Sequence, residues 1–134
     1  FPARHVVITG GEPSLSLTAS LVDALHGIGR FVAVETNGTH PLPDNVDWIT
    51  LSPKDAFEPK GRPVLTHCDE LKVVFDGTTP NPYEGITAAH RFLQPCDVGD
   101  TQKNRAIMEA CIDFIKAHPT WRLSLQTHKI TNIR

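Results

Sequence analysis

A chain of 134 residues has the length of one ordinary domain and can bury about two-thirds of the surface it exposes when unfolded. Hydrophobic residues make up 40% and charged residues 21%, the balance of a soluble globular fold. The net charge of -2 gives no basic excess for nucleic acid and no acidic solvating tail, and no apolar run approaches the roughly 20 residues of a membrane span.

The elements follow in chain order. The chain opens on Phe1-Pro2-Ala3-Arg4-His5, without an initiator Met or a secretory n-region. A strand over 5–9 begins almost at once, so the expectation is a C-terminal piece of a longer chain, with an element before it. Leu17, Leu21, Val22 and Leu25 share one face of a helix over 17–26, with Ser16 as cap and Gly27 as stop. Strands follow over 31–35 and 48–51; 55–66 reads as loop. A strand over 71–75 precedes 78–86, which has room only for a short helix. A strand over 91–93 leads to a helix over 102–117, where Ile107, Cys111, Phe114 and Ile115 recur at helical spacing and His118-Pro119 ends the pattern. The last strand covers 121–125.

Several strands are apolar almost throughout, as in a parallel sheet covered on both faces. The expected class is α/β, one domain over 1–134, with too few helices for a complete (βα)₈ barrel. The eleven prolines fall mostly in the connections and mark loops. Cys68, Cys96 and Cys111 are odd in number and far apart, which excludes a CxxC zinc or redox motif and a disulfide scaffold and fits a reducing cytoplasm.

Polar motifs sit where strands end, the ligand-binding face of parallel α/β folds. They are Thr9-Gly10-Gly11-Glu12-Pro13, Glu35-Thr36-Asn37-Gly38-Thr39, Ser52-Pro53-Lys54, Gln94-Pro95-Cys96-Asp97 and Gln126-Thr127-His128-Lys129. Together they predict a composite site. In the first, paired glycines allow close ligand approach or positive φ, and Glu12 offers a carboxylate to a ligand ammonium. A tight turn with Glu12 favoured by the start of the next helix explains the same residues equally well.

Gly-Gly-Glu-Pro after a strand resembles the S-adenosylmethionine-binding motif of radical enzymes that use that cofactor. The runs VVITGGEPSL, VETNGT, DWITLSPK, DELKVVFD, FLQPCD and WRLSLQTHK narrow the resemblance, along the whole chain, to the 7-carboxy-7-deazaguanine synthase family. The resemblance implies a partial (βα) barrel of the radical S-adenosylmethionine type. It also implies a reaction: a 4Fe-4S cluster reduces S-adenosylmethionine, and the resulting radical takes a hydrogen from 6-carboxy-5,6,7,8-tetrahydropterin. The ring contracts, ammonia leaves and 7-carboxy-7-deazaguanine forms with Mg²⁺ assisting, feeding queuosine and related deazapurine pathways. An electron donor such as flavodoxin and a homodimer belong to the same expectation, as does a cytoplasmic location; nucleic acid and membrane do not.

Residue by residue, the resemblance assigns Thr9 to substrate and Gly11 to S-adenosylmethionine. It assigns the runs Ser52, Pro53, Lys54 and Gln94, Pro95, Cys96, Asp97 to the same cofactor. Lys54 brings a cation for a carboxylate, and Ser52 a hydroxyl. An X-Pro turn with a solvated lysine, and for Cys96 a small buried hydrophobe, are the plain alternatives. Gly10, Glu12, Glu35, Asn37 and His128 are additional candidates, with Asn37-Gly38 equally a turn dipeptide. Glu70 and Lys72 read either as an interior polar pair or as outward positions of a half-exposed strand. The tail after His128 ends at Arg134, which the resemblance places at the substrate through its own backbone; a frayed end is the alternative.

The family holds its cluster with three cysteines in a loop after the first strand, and carries a magnesium ligand there. The three cysteines here lack that spacing, so no metal ligand is assigned in this chain. The first strand and the cluster loop are expected before Phe1, and the chain alone is expected to be inactive. The other histidines, His5, His26, His40, His67, His90 and His118, show no metal-ligand spacing. Two other readings remain. One is a different radical enzyme with the same glycine motif, such as an activase, which the closing Leu-Gln-Thr-His-Lys disfavours. The other is an intact α/β module that holds a nucleotide-like ligand without redox chemistry.

Overall fold

The computed structural model describes residues 2–58, 60–78 and 83–131. Its strands are β1 (His5–Ile8), β2 (Phe31–Thr36), β3 (Trp48–Leu51), β4 (His67–Phe75), β5 (Thr87–Pro95) and β6 (Trp121–Leu123), hydrogen-bonded in chain order. The helices are α1 (Ala19–Gly27), α2 (Thr101–Ala117) and α3 (Thr127–Thr131), with a 3-10 turn at Pro13–Leu15. The pairs β1–β2, β2–β3, β3–β4 and β5–β6 are parallel. The α/β class read from the sequence is therefore the one observed, and among the described residues α1 and α2 are the long crossover helices.

The residues group into two compact units, Phe1–Leu71 with Glu84–Ala89, and Lys72–Tyr83 with His90–Arg134. In the first unit, α1 and the 3-10 turn pack on β2. Alternation along β2 decides its faces: Val32, Val34 and Thr36 are buried, whereas Phe31 and Glu35 are exposed. Val22 of α1, Leu51 and Leu71 are buried in this unit as well. Two aspartates finish the strand starts. Asp47 Oδ2 accepts from the Val32 amide at 2.7 Å and meets His26 Nε2 at 2.7 Å. Asp69 Oδ2 accepts from the Ile49 amide at 2.8 Å. The Val32 amide, followed by the His26 ring, holds the Asp47 carboxyl below the usual range.

In the second unit, α2 packs on β6 with Ile107 and Cys111 buried. Phe114 stacks on His118 at 4.0 Å between ring centroids and meets Phe75 and Trp121 edge-on or tilted. Arg91 lies 5.5 Å from the Trp121 ring centroid. Asp100 caps α2 by accepting from the Gln102 and Lys103 amides at 2.9 and 3.0 Å.

Several boundaries differ from the sequence pattern. α1 is capped by Thr18, whose hydroxyl accepts from the Leu21 amide at 3.3 Å; Ser16 lies in the link after the 3-10 turn. β4 starts four residues before the expected 71, because Cys68 and Leu71 are buried and the intervening polar residues hide the alternation. β5 is longer for the same reason, with His90 and Arg91 in mid-strand. The segment 78–86, with room only for a short helix, falls partly outside the described residues, and 84–85 is a turn. β6 ends at Leu123, two residues before the expected 125, and after a three-residue link α3 stands where the tail was expected.

Candidate cofactor site at the strand ends

In the first unit the loops leaving β1, β2 and β3 stand side by side because these strands are parallel neighbours. Thr9 is exposed where β1 ends. Gly10 and Gly11 follow at φ 88° and 55°, both exposed, with no atom within 4 Å of where a Cβ would stand. This backbone is open to a ligand, and its left-handed geometry is what requires glycine.

Glu12 anchors the turn. Its Oε1 accepts from the Ser14 amide at 3.1 Å, the Ser14 hydroxyl at 2.7 Å and the Thr36 hydroxyl at 2.5 Å. Its Oε2 accepts from the Asn37 amide at 2.8 Å. Burial by itself would raise this carboxyl, but the donors from Thr36, Asn37 and Ser14 outweigh it together, and the net direction is downward. The carboxylate that sequence offered to a ligand ammonium is thus largely committed to tying β1 to β2. Asn37 turns its side-chain oxygen to the Thr39 amide and hydroxyl at 2.9 and 2.7 Å, the turn role left open above.

Glu35 points the other way. With Phe31, Ala33, Trp48 and Thr50 it lines an open hollow of about 420 Å³ on the opposite face of the sheet. After β3, the Ser52 amide continues the ladder to Thr36 O at 2.8 Å, Pro53 is buried and Lys54 is half-buried. Glu70 and Lys72 are both half-buried in β4.

In the second unit, the Cys96 amide donates to Phe75 O at 2.8 Å, so Gln94-Pro95-Cys96-Asp97 leaves β5 as a direct continuation of the strand. Asp97 Oδ1 accepts from the Gly99 amide at 3.0 Å and Asn104 Nδ2 at 2.7 Å, while Asn104 Oδ1 accepts from the Val98 amide at 2.9 Å. Beside them is a hollow of about 240 Å³ lined by Pro95, Cys96, Met108 and Ser124, among others. His128 is exposed on α3. Arg134 lies outside the described residues.

Sequence reading missed the partners that hold these motifs. Ser14 and Asn104 carry no periodic pattern of their own. Each is legible only as a short polar residue close in sequence to the carboxylate it bonds. Among the described residues no three His, Cys, Asp or Glu side chains converge on a metal position. Cys68 and Cys111 are buried in the core of their units, and burial pushes the Cys111 thiol up to about 11. These two buried, separate cysteines do not fit an iron–sulfur cluster. The open Gly10–Gly11 backbone and the Lys54 cation do fit an amino-acid-bearing cofactor.

No protein-family model matches the chain. The 7-carboxy-7-deazaguanine synthase of Bacteroides thetaiotaomicron is 46% identical over 134 residues, all of this chain and 68% of that protein. The synthases of Nitratidesulfovibrio vulgaris and Bradyrhizobium diazoefficiens are 46% and 44% identical over 96% and 98% of this chain, which spans 59% and 60% of their length. The crystal structure of QueE from Escherichia coli superposes with a TM-score of 0.62 at 30% identity, over 94% of this chain and 58% of that one. The chain belongs to the 7-carboxy-7-deazaguanine synthase family.

Proposed function

We propose that this chain supplies part of the S-adenosylmethionine and substrate site of a 7-carboxy-7-deazaguanine synthase. The reaction is the radical ring contraction of 6-carboxy-5,6,7,8-tetrahydropterin with loss of ammonia. Relatives of that name along the whole chain support the activity. The observation that carries the site is the Gly10–Gly11 turn, open to solvent at positive φ and tethered through Glu12 to β2.

S-adenosylmethionine, when bound, supplies the hydrogen-abstracting chemistry. The chain's own residues bind and orient. The Gly11 backbone approaches the cofactor's amino-acid end, and Lys54 sets a cation for its carboxylate, with Ser52 and Pro53 fixing where that lysine leaves the sheet. In the second unit, Gln94, Pro95, Cys96 and Asp97 offer backbone and apolar contact to a nucleoside. Thr9, at the end of β1, and Arg134 are assigned to the pterin substrate; Glu35 and Asn37 are additional candidates for the site. His128 remains an additional candidate. Cluster and magnesium ligation are not assigned to residues of this chain. A flavodoxin-like electron donor, a homodimer and a cytoplasmic location complete the proposal on the same family ground; in addition, no helix among the described residues is long and apolar enough to cross a membrane.

The test uses the enzyme expressed from its complete coding sequence under anaerobic conditions. Gly11→Val and Lys54→Met weaken S-adenosylmethionine binding and its reductive cleavage while the cluster spectrum stays intact. Loss of one charge-assisted hydrogen bond corresponds to roughly one to two decades in affinity. Removing Ile133 and Arg134 lowers product yield while 5′-deoxyadenosine continues to form. Unchanged cofactor affinity in both point variants rejects the site.

A further inference from the structure

The loop after β3 is held by a glycine that no motif singled out. The Lys54 carbonyl accepts from the Phe57 amide at 2.9 Å and the Glu58 amide at 2.8 Å, and the Gly61 amide donates to the Glu58 carbonyl at 2.8 Å. The chain thereby folds back over the Lys54–Asp55 peptide, and Gly61 is buried against it. A Cβ on Gly61 would stand 2.9 Å from the Lys54 carbonyl carbon, 3.0 Å from the Asp55 nitrogen and 3.0 Å from the Glu58 oxygen. All three are backbone atoms, so no rotamer change relieves the overlap.

We infer that Gly61 is a positioning residue for Lys54 and, through it, for the carboxylate that Lys54 holds; this rests on the reading of Lys54 as a cofactor contact. Two constraints make the coupling direct. On the strand side, Pro53 is buried and the Ser52 amide is bonded to Thr36 O at 2.8 Å, so the run cannot slide back into β3. On the loop side, any side chain at position 61 either breaks the bond to Glu58 or tilts the Lys54–Asp55 peptide. Tilting that peptide swings the Lys54 Cα–Cβ direction, and a long side chain magnifies the swing at its ammonium. Gly61 is therefore needed for close approach rather than for an unusual φ.

The experiment measures S-adenosylmethionine affinity of the cluster-loaded enzyme, expressed from its complete coding sequence, for Gly61→Ala, Lys54→Met and the double variant. Gly27→Ala is the control, because a Cβ there meets nothing within 4 Å. Gly61→Ala weakens affinity about tenfold and adds nothing further in the Lys54→Met background, the coupling expected of residues that act through one contact. General destabilisation would instead multiply the two losses. Glu58→Pro, which removes one donor from the Lys54 carbonyl and keeps both the glycine at 61 and the carbonyl that its amide bonds, gives the same loss and the same non-additivity, and reads out the loop if Gly61→Ala folds poorly. Normal affinity in both loop variants beside a weakened Lys54→Met, or losses that multiply, overturns the inference alone. Normal affinity in Lys54→Met overturns the Lys54 assignment, and the inference with it.

Discussion

The Thr36 hydroxyl donates to Glu12 Oε1 at 2.5 Å, so the first residue past the paired glycines is bonded to the last residue of the neighbouring strand. With the Asn37 amide on the other oxygen at 2.8 Å, one carboxylate joins two strand ends. Its acidity is raised, so its folded value lies below the ordinary 4.5. A depressed carboxylate stabilises the fold above its unfolded value, and that contribution drains away as pH falls below about 4.5 towards the folded value. Glu12→Gln is expected to cost about 1 kcal/mol at neutral pH, the low end for bonds to a charged but half-exposed group. The melting-temperature gap to the parent should close below pH 4.5. A gap that stays constant from pH 7 to pH 3 rejects the ionised anchor.

Gly11 is held at φ 55° with open space where a side chain would go. Gly11→Ala is expected to cost about 1 kcal/mol of stability from backbone conformation alone. Gly27→Ala, at the end of α1 with equal space and no positive φ, is expected to raise stability by about 0.5 kcal/mol. Equal effects on thermal unfolding at the two positions would remove the conformational argument.

In the first unit the strand ends were legible because apolar runs stop near Thr9, Glu35 and Ser52, and β1, β2 and β3 are parallel neighbours. What held them was not legible. Glu12 read equally as ligand acceptor and turn carboxylate, since its partner Thr36 is far away in sequence and only the β1–β2 register brings them together. Asp69 hid the start of β4, because a polar residue that caps a neighbouring strand looks like loop in a hydrophobic pattern. Gly61 looked like an ordinary loop glycine; its constraint lies in three backbone atoms that no sequence pattern reports.

Asp47 gives a test of strand capping. One oxygen serves both the Val32 amide and the His26 ring. Asp47→Asn keeps an acceptor for Val32, whereas Asp47→Ala strands the amide of a buried residue. The alanine variant is expected to lose about 1 kcal/mol more than the asparagine variant in denaturant titrations. Equal losses would place the stabilisation in the exposed His26 pair, which is worth little in solvent.

The three cysteines should separate by reactivity. Cys111 is fully buried, and burial pushes its thiol up to about 11, so at pH 8 only about one part in a thousand is thiolate, before access is considered. Cys68 is 8% exposed within β4. Cys96 is half-buried but lines the open hollow of about 240 Å³ beyond β5. Iodoacetamide should therefore label Cys96 first in the folded protein, with Cys68 and Cys111 reacting only on unfolding; peptide mass spectrometry assigns the sites. If the hollow takes the nucleoside end of the cofactor, S-adenosylmethionine slows labelling of Cys96 in the enzyme expressed from its complete coding sequence. Labelling of Cys96 at the same rate with saturating cofactor would move the nucleoside away from the Gln94-Pro95-Cys96-Asp97 run. It would leave the Gly11 and Lys54 assignments to stand or fall on their own variants.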